Sequence, residues 1–78
     1  MGPMATTTLD LQGLNCPLPV LKTKKAIAAL QAGDTLEVLA TDPAAVQDFE
    51  AFSRATGHVL VAWQQEGKVF RFLLRKGG

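Results

Sequence analysis

Two prolines one residue apart, Pro17 and Pro19, directly follow the only cysteine of the chain, Cys16, and they fix where its first helix can begin. Proline lacks the N–H that an interior helical residue donates, so this pair fits only a first turn, whose N–H groups have no intrahelical partner. A helix is therefore expected from Pro17 to about Gln31, stopped by Gly33. Along it Val20, Thr23, Ile27 and Leu30 form one stripe at helical period, assigned to the core, while Leu18, Leu21, Lys22 and Lys25 fall on the other side.

The segments around this helix alternate in type. Leu9-Asp10-Leu11-Gln12 alternates apolar and polar residues and reads as a short strand closed by Gly13, with Asn15 suited to the turn. Thr35-Leu36-Glu37-Val38-Leu39-Ala40-Thr41 is rich in strand formers, as a central strand is. Asp42 then caps a second helix with Pro43 at its first position, Val46, Phe49, Phe52 and Thr56 repeat at helical spacing, and Gly57 ends it. Val59–Gln64 and Lys68–Arg75 return to strand pattern, joined by a Glu66-Gly67 hairpin turn. The order β-α-β-α-β-β predicts an α+β fold, a two-layer sandwich with two helices on one face of a four-stranded mixed sheet. Residues 1–6, with the Thr6-Thr7-Thr8 run, read as a disordered lead-in or artificial remnant, leaving a single domain over residues 7–78.

A chain of 78 residues buries only about 60% of its unfolded surface, so a deep, lidded cavity is not expected and chemistry belongs on the surface. One cysteine makes no internal disulfide, and a free thiol fits a reducing compartment, the cytoplasm. No charge-free stretch approaches the ~20 residues of a membrane span. Eight basic against seven acidic side chains give a formal charge of +1, which supplies no general attraction to nucleic acid or anionic membrane.

Cys16 is the residue on which chemistry is expected. Placed as the N-cap of the first helix, it sits where the helix dipole favours thiolate, and only the thiolate attacks sulfur. Because neither proline donates, the Leu18 amide is the expected donor to its sulfur, and a thiol pKa below that of free cysteine follows. The alternative is a small buried residue followed by helix punctuation.

Gly13-Leu14-Asn15-Cys16-Pro17-Leu18-Pro19-Val20 resembles the signature of the TusA (SirA-like) family of sulfur carriers, which share a Cys-Pro-x-Pro motif at the start of the first helix. Thr41-Asp42-Pro43-Ala44, Gly57-His58 and the ending Arg71-Phe72-Leu73-Leu74-Arg75-Lys76-Gly77-Gly78 resemble family patterns too. The resemblance implies a sulfurtransferase acting as a stoichiometric carrier, with a persulfide on Cys16 and no cofactor. It implies donors such as a cysteine desulfurase or a rhodanese, and acceptors such as DsrE-type proteins. Thiolation of transfer RNA, molybdenum cofactor assembly and oxidative sulfur metabolism are the fates it implies. Some members carry a second cysteine in the second helix; this chain has Ser53 and no resolving thiol, which weakens an oxidoreductase reading.

Other residues carry less. His58 is alone and reads as a cap or surface residue, one histidine and one cysteine make no metal site, and Asp10 is able to orient the loop before the motif. Trp63 and the phenylalanines fit core or sheet packing. Leu18 and Leu21 beside Lys22, Lys24 and Lys25 suit a transient docking surface next to Cys16, with Asp42 as a further contact. Two rival readings use other features. Gly77-Gly78 resembles the terminus of ubiquitin-like carriers that bear a thiocarboxylate, although that fold opens with a hairpin. A regulatory or RNA-binding module is the other, and the +1 charge and the absence of a basic-aromatic sheet motif count against it.

Overall fold

The computed structural model describes residues 6–77, which form β1 (Thr6–Leu11), α1 (Leu18–Ala28), β2 (Thr35–Ala40), α2 (Ala45–Thr56), β3 (Val59–Glu66) and β4 (Val69–Arg75). The order is the expected β-α-β-α-β-β. The sheet runs β1-β2-β4-β3: β1 lies parallel to β2 across the α1 crossover, and β4 is antiparallel to both β2 and β3. After α2 the chain thus reaches the far edge first and returns through the hairpin into the sheet centre.

Residues that pair across strands share a face, and that face holds the core. Leu36 pairs with Leu74 and Val38 with Phe72, and all four are buried. Against them pack Pro19, Thr23 and Ile27 from α1 and Ala45, Phe49 and Phe52 from α2. The Phe49 and Phe72 rings lie 4.5 Å apart between centroids, joining α2 to the middle strand. Val20 and Leu30, expected in the core stripe, are only half-buried at its borders. Trp63 keeps 43% exposure on the edge strand, its ring tilted toward Phe70 and Phe72.

Several boundaries differ from the sequence expectation. Thr6, assigned to the lead-in, opens β1, because β-branched threonines favour an extended backbone and Thr6–Thr8 pair with Thr35–Glu37; residues 1–5 lie outside the described residues. β1 also ends at Leu11, one residue early, where the Gln12 N–H turns back to the Asp10 carboxylate at 3.0 Å. α1 stops at Ala28 rather than Gln31: the Ala29 and Leu30 amides bond carbonyls three residues back, and the Lys76 ammonium bonds the Ala28 and Leu30 carbonyls. α2 starts at Ala45 with Ala44 as its N-cap, so Asp42 and Pro43 belong to the turn before it. Gly57 does end α2, with φ 81°. The hairpin turn is Gly67-Lys68, one residue later than expected, since Glu66 still pairs with Val69.

The last described residues are fastened down. Lys76 exchanges backbone hydrogen bonds with Gly33 and Asp34 at 2.9 Å each, and the Gly77 N–H donates to His58 Nδ1 at 3.0 Å. A Cβ at Gly77 would overlap the Gly57 carbonyl oxygen, so glycine is required by close backbone approach. His58 is accordingly a structural acceptor whose ring also faces Phe52.

One core position is chemically mismatched. Thr23 is fully buried and its hydroxyl has no hydrogen-bond partner. A buried hydroxyl without a partner costs about 1–3 kcal/mol relative to an apolar group of the same shape. Thr23→Val is therefore expected to raise the thermal midpoint by several degrees, measured by calorimetry; an unchanged or lower midpoint would show that the hydroxyl is satisfied.

Candidate functional site

The loop between β1 and α1 is anchored by Leu14, half-buried against the core, and the rest of its shape depends on what its N–H groups find. The Leu14 amide bonds the Leu11 carbonyl at 3.2 Å, closing the turn after β1. The neighbouring β2–α2 loop supplies the rest: Thr41 Oγ1 accepts the Gly13 N–H at 2.9 Å, and Asp42 Oδ2 accepts the Cys16 N–H at 2.6 Å. Asp42 Oδ1 takes the Ala44 N–H at 3.0 Å, which explains why an aspartate precedes Pro43 although it does not cap α2. Both oxygens of Asp42, expected as a partner contact, are thus engaged within the chain, and its task here is to hold the Cys16 backbone.

Cys16 is exposed and, expected as the N-cap, stands one residue before it. Pro17 is the N-cap and Pro19 the second helical residue; the Cys16–Pro17 peptide bond is cis. The Leu18 amide donates at 2.9 Å to the Asn15 carbonyl rather than to the cysteine sulfur, which corrects the sequence expectation. The electrostatic expectation is corrected as well. The Asp48 carboxylate beside the thiol, with lesser contributions from desolvation and from the charge of Asp42, holds the Cys16 pKa above the ordinary thiol value. Two nearby anions outweigh a half-charge at a helix end that Cys16 does not cap.

The thiol opens onto a groove of about 440 Å³ between the two helices. Pro17, Val20, Leu21 and Lys24 form its α1 side and Asp48, Ala51, Phe52, Ala55 and Thr56 its α2 side. Its walls are therefore mostly apolar, with Lys24 and Asp48 as the charged exceptions. Of the expected surface residues, Leu21 and Lys24 share the groove with Cys16. Leu18, Lys22 and Lys25 do not line it; they are exposed on the neighbouring outward side of α1. Leu18 and Leu21 are 44% and 54% exposed, a large apolar display for so small a protein.

Asp48 escaped the sequence reading because a carboxylate in the first turn of a helix has an ordinary explanation in the helix dipole. The signal available was its spacing from Asp42, six residues on, which places it one turn into α2 beside the loop that Asp42 holds. Ser53, where some family members carry a second cysteine, bonds the His58 carbonyl and the Leu60 amide and closes the α2–β3 connection.

The raised thiol sets a direction for reactivity. Alkylation of Cys16 by iodoacetamide is expected to accelerate only at higher pH than alkylation of N-acetylcysteine measured alongside, since less thiolate is present at any given pH. Asp48→Asn should move the profile to lower pH; a wild-type profile below that of the free thiol would show that the helix terminus governs the sulfur after all.

Comparison with known proteins bears on the whole of this fold. Residues 7–76 match the family model of the sulfurtransferase TusA. The chain is 50% identical over 68 residues to the sulfur carrier protein TusA of Allochromatium vinosum, covering 87% of this chain and 90% of that one. It is 53% identical over 72 residues to a putative sulfur carrier protein of Neisseria meningitidis serogroup A, covering 92% and 97%. The crystal structure of a SirA-like protein from Desulfitobacterium hafniense superposes with a TM-score of 0.80 at 26% identity, covering 95% of this chain and all of that one. With the family model matched over residues 7–76 and the exposed Cys-Pro-Leu-Pro segment at the head of α1, the chain belongs to the TusA family of sulfurtransferases.

Proposed function

We propose that the protein is a sulfur carrier that holds sulfane sulfur as a persulfide on Cys16 and passes it between a donor and an acceptor protein. The observation that carries this reading is the single exposed thiol set by backbone hydrogen bonds at the mouth of an apolar groove. In loading, the Cys16 thiolate attacks the outer sulfur of a donor persulfide; a new S–S bond forms, the donor's S–S bond breaks, and its electron pair leaves on the donor cysteine. Delivery is the same exchange in reverse, with an acceptor thiolate attacking the outer sulfur of Cys16-S-SH. Each step conserves atoms and electrons, so the carrier needs no cofactor, and Cys16 returns as a thiolate once per transfer.

A thiol protonated at rest suits this work, because thiolates are the form that oxidises and alkylates. A reducing cytoplasm would keep it free. The carrier meets at least two proteins in turn, for which a cysteine desulfurase or rhodanese as donor and a DsrE-type protein as acceptor are the working candidates. The exposed Leu18 and Leu21, with Lys22, Lys24 and Lys25, form the proposed docking rim. The thiocarboxylate alternative is disfavoured by two features: α1 follows β1 directly, and Gly77 is bonded to His58 and packed on Gly57.

Incubation with a rhodanese and thiosulfate, or with a cysteine desulfurase and cysteine, should add the mass of one sulfur atom to the wild type and none to Cys16→Ser. Equal loading of both would end the persulfide reading, since no other side chain here carries a persulfide.

Charge reversal of Lys22 and Lys25 to Glu should slow transfer to partner proteins, most at low salt, while alkylation of Cys16 by a small neutral reagent changes little. Lysine and glutamate have similar helix propensity, so the cost to folding should be a few tenths of a kcal/mol. Transfer at the wild-type rate to every partner tested would leave these lysines as solvated surface.

A further inference from the structure

The groove beside Cys16 carries an asymmetry of charge that the carrier chemistry by itself does not require. Two carboxylates act on the sulfur, Asp42 from the β2–α2 loop and Asp48 from α2, and Lys24 from α1 lines the same groove. Asp42 is engaged by two backbone amides. Among the described residues the ion pairs link Arg71 with Glu37 and Glu66, and Asp48 has no cationic partner. Asp48 instead shares the groove with the thiol that has to lose its proton, and its carboxylate disfavours the thiolate. The groove continues past it with the apolar surfaces of Leu21, Ala51 and Phe52.

We infer that the groove is built for a partner segment carrying an apolar side chain and, next to its reactive cysteine, a guanidinium or ammonium group that pairs with Asp48 and so converts Cys16 from a resting thiol to the attacking thiolate. Resting on the persulfide-carrier reading for what the partner delivers, this adds the partner's charge and the signal for reaction. With Asp48 engaged by a cation, the carboxylate charge that opposes the thiolate is offset, and the released proton passes to water. Asp42 is then the one carboxylate whose charge still opposes the thiolate. In the free carrier Asp48 keeps the sulfur protonated and protected. An aspartate in the first turn of α2 also stabilises that helix, but a purely structural role gives no preference for the charge of a reactant.

Three symmetrical disulfides serve as probes: cystamine, which is cationic, 2-hydroxyethyl disulfide, which is neutral, and dithiodiglycolate, which is anionic. In each case the Cys16 thiolate attacks one sulfur, a mixed disulfide forms and the other half leaves as a thiolate. Rates are read by mass spectrometry at low ionic strength and divided by those of 2-mercaptoethanol, which removes differences in leaving group. The wild type should then favour cystamine over the neutral probe by roughly threefold to tenfold and disfavour the anion. Asp48→Asn should bring the ratios close to one, and Asp48→Glu, which restores the charge, should recover the preference. No preference in the wild type, or one that survives in Asp48→Asn, overturns the inference. Rhodanese loading run in parallel separates the two proposals: absent loading with charge preference intact sinks the carrier reading alone, whereas normal loading without charge preference sinks this one alone.

Discussion

The hydrogen bond from the Cys16 amide to Asp42, at 2.6 Å, organises more of this molecule than its size suggests. One oxygen of the carboxylate fixes the backbone of the reactive loop and the other fixes the turn that launches α2, so the two helices are positioned relative to one another at the end where the sulfur lies. Thr41, the residue before, does the same for Gly13. Both loops follow the ends of β1 and β2, whose parallel pairing runs through Leu11 and Ala40, and the strands therefore deliver the two loops side by side. The cleft between α1 and α2 then opens at Cys16 as a consequence of sheet register, with no lid or separate domain.

That arrangement also decides the electrostatics. A cysteine that capped α1 would see the positive end of a helix dipole and little else. By standing one residue earlier, tied to one aspartate and facing another, Cys16 experiences anions first. Reactivity is thereby separated from exposure. Cys16 is exposed to solvent, while carboxylates from a different part of the chain raise its pKa.

Much of the architecture was legible because it is encoded locally. The proline pair, the Gly57 terminus and the alternation of Leu36, Val38 and Ala40 name their elements without tertiary information. Sequence and structure part where a distant residue intervenes. The helical pattern runs three residues past the end of α1, where Lys76, far away in sequence, bonds the Ala28 and Leu30 carbonyls. The Thr6–Thr8 run resembles a linker until β2 is present to pair with it. The exposure of Cys16 at the head of α1 is legible, and the groove partly so through Leu21 and Lys24. Its α2 wall and Asp48 are not, because the approach of Cys16 to a residue of the second helix leaves no periodic trace in either segment.

The Lys76 contact has a bearing on folding. It joins the far end of α1 to a residue 48 positions beyond Ala28 and 46 beyond Leu30, and β4, which fills the sheet between β2 and β3, is likewise separated from β2 by the whole of α2 and β3. Closing spans of that length costs chain entropy before any pairing offsets it. The helix terminus and the inner strand are therefore gained together, and α1 with β1 and β2 alone lacks the surface on which both helices pack. The cleft beside Cys16 is in this sense a product of the most distant contacts in the fold, formed in the same cooperative step that completes the sheet.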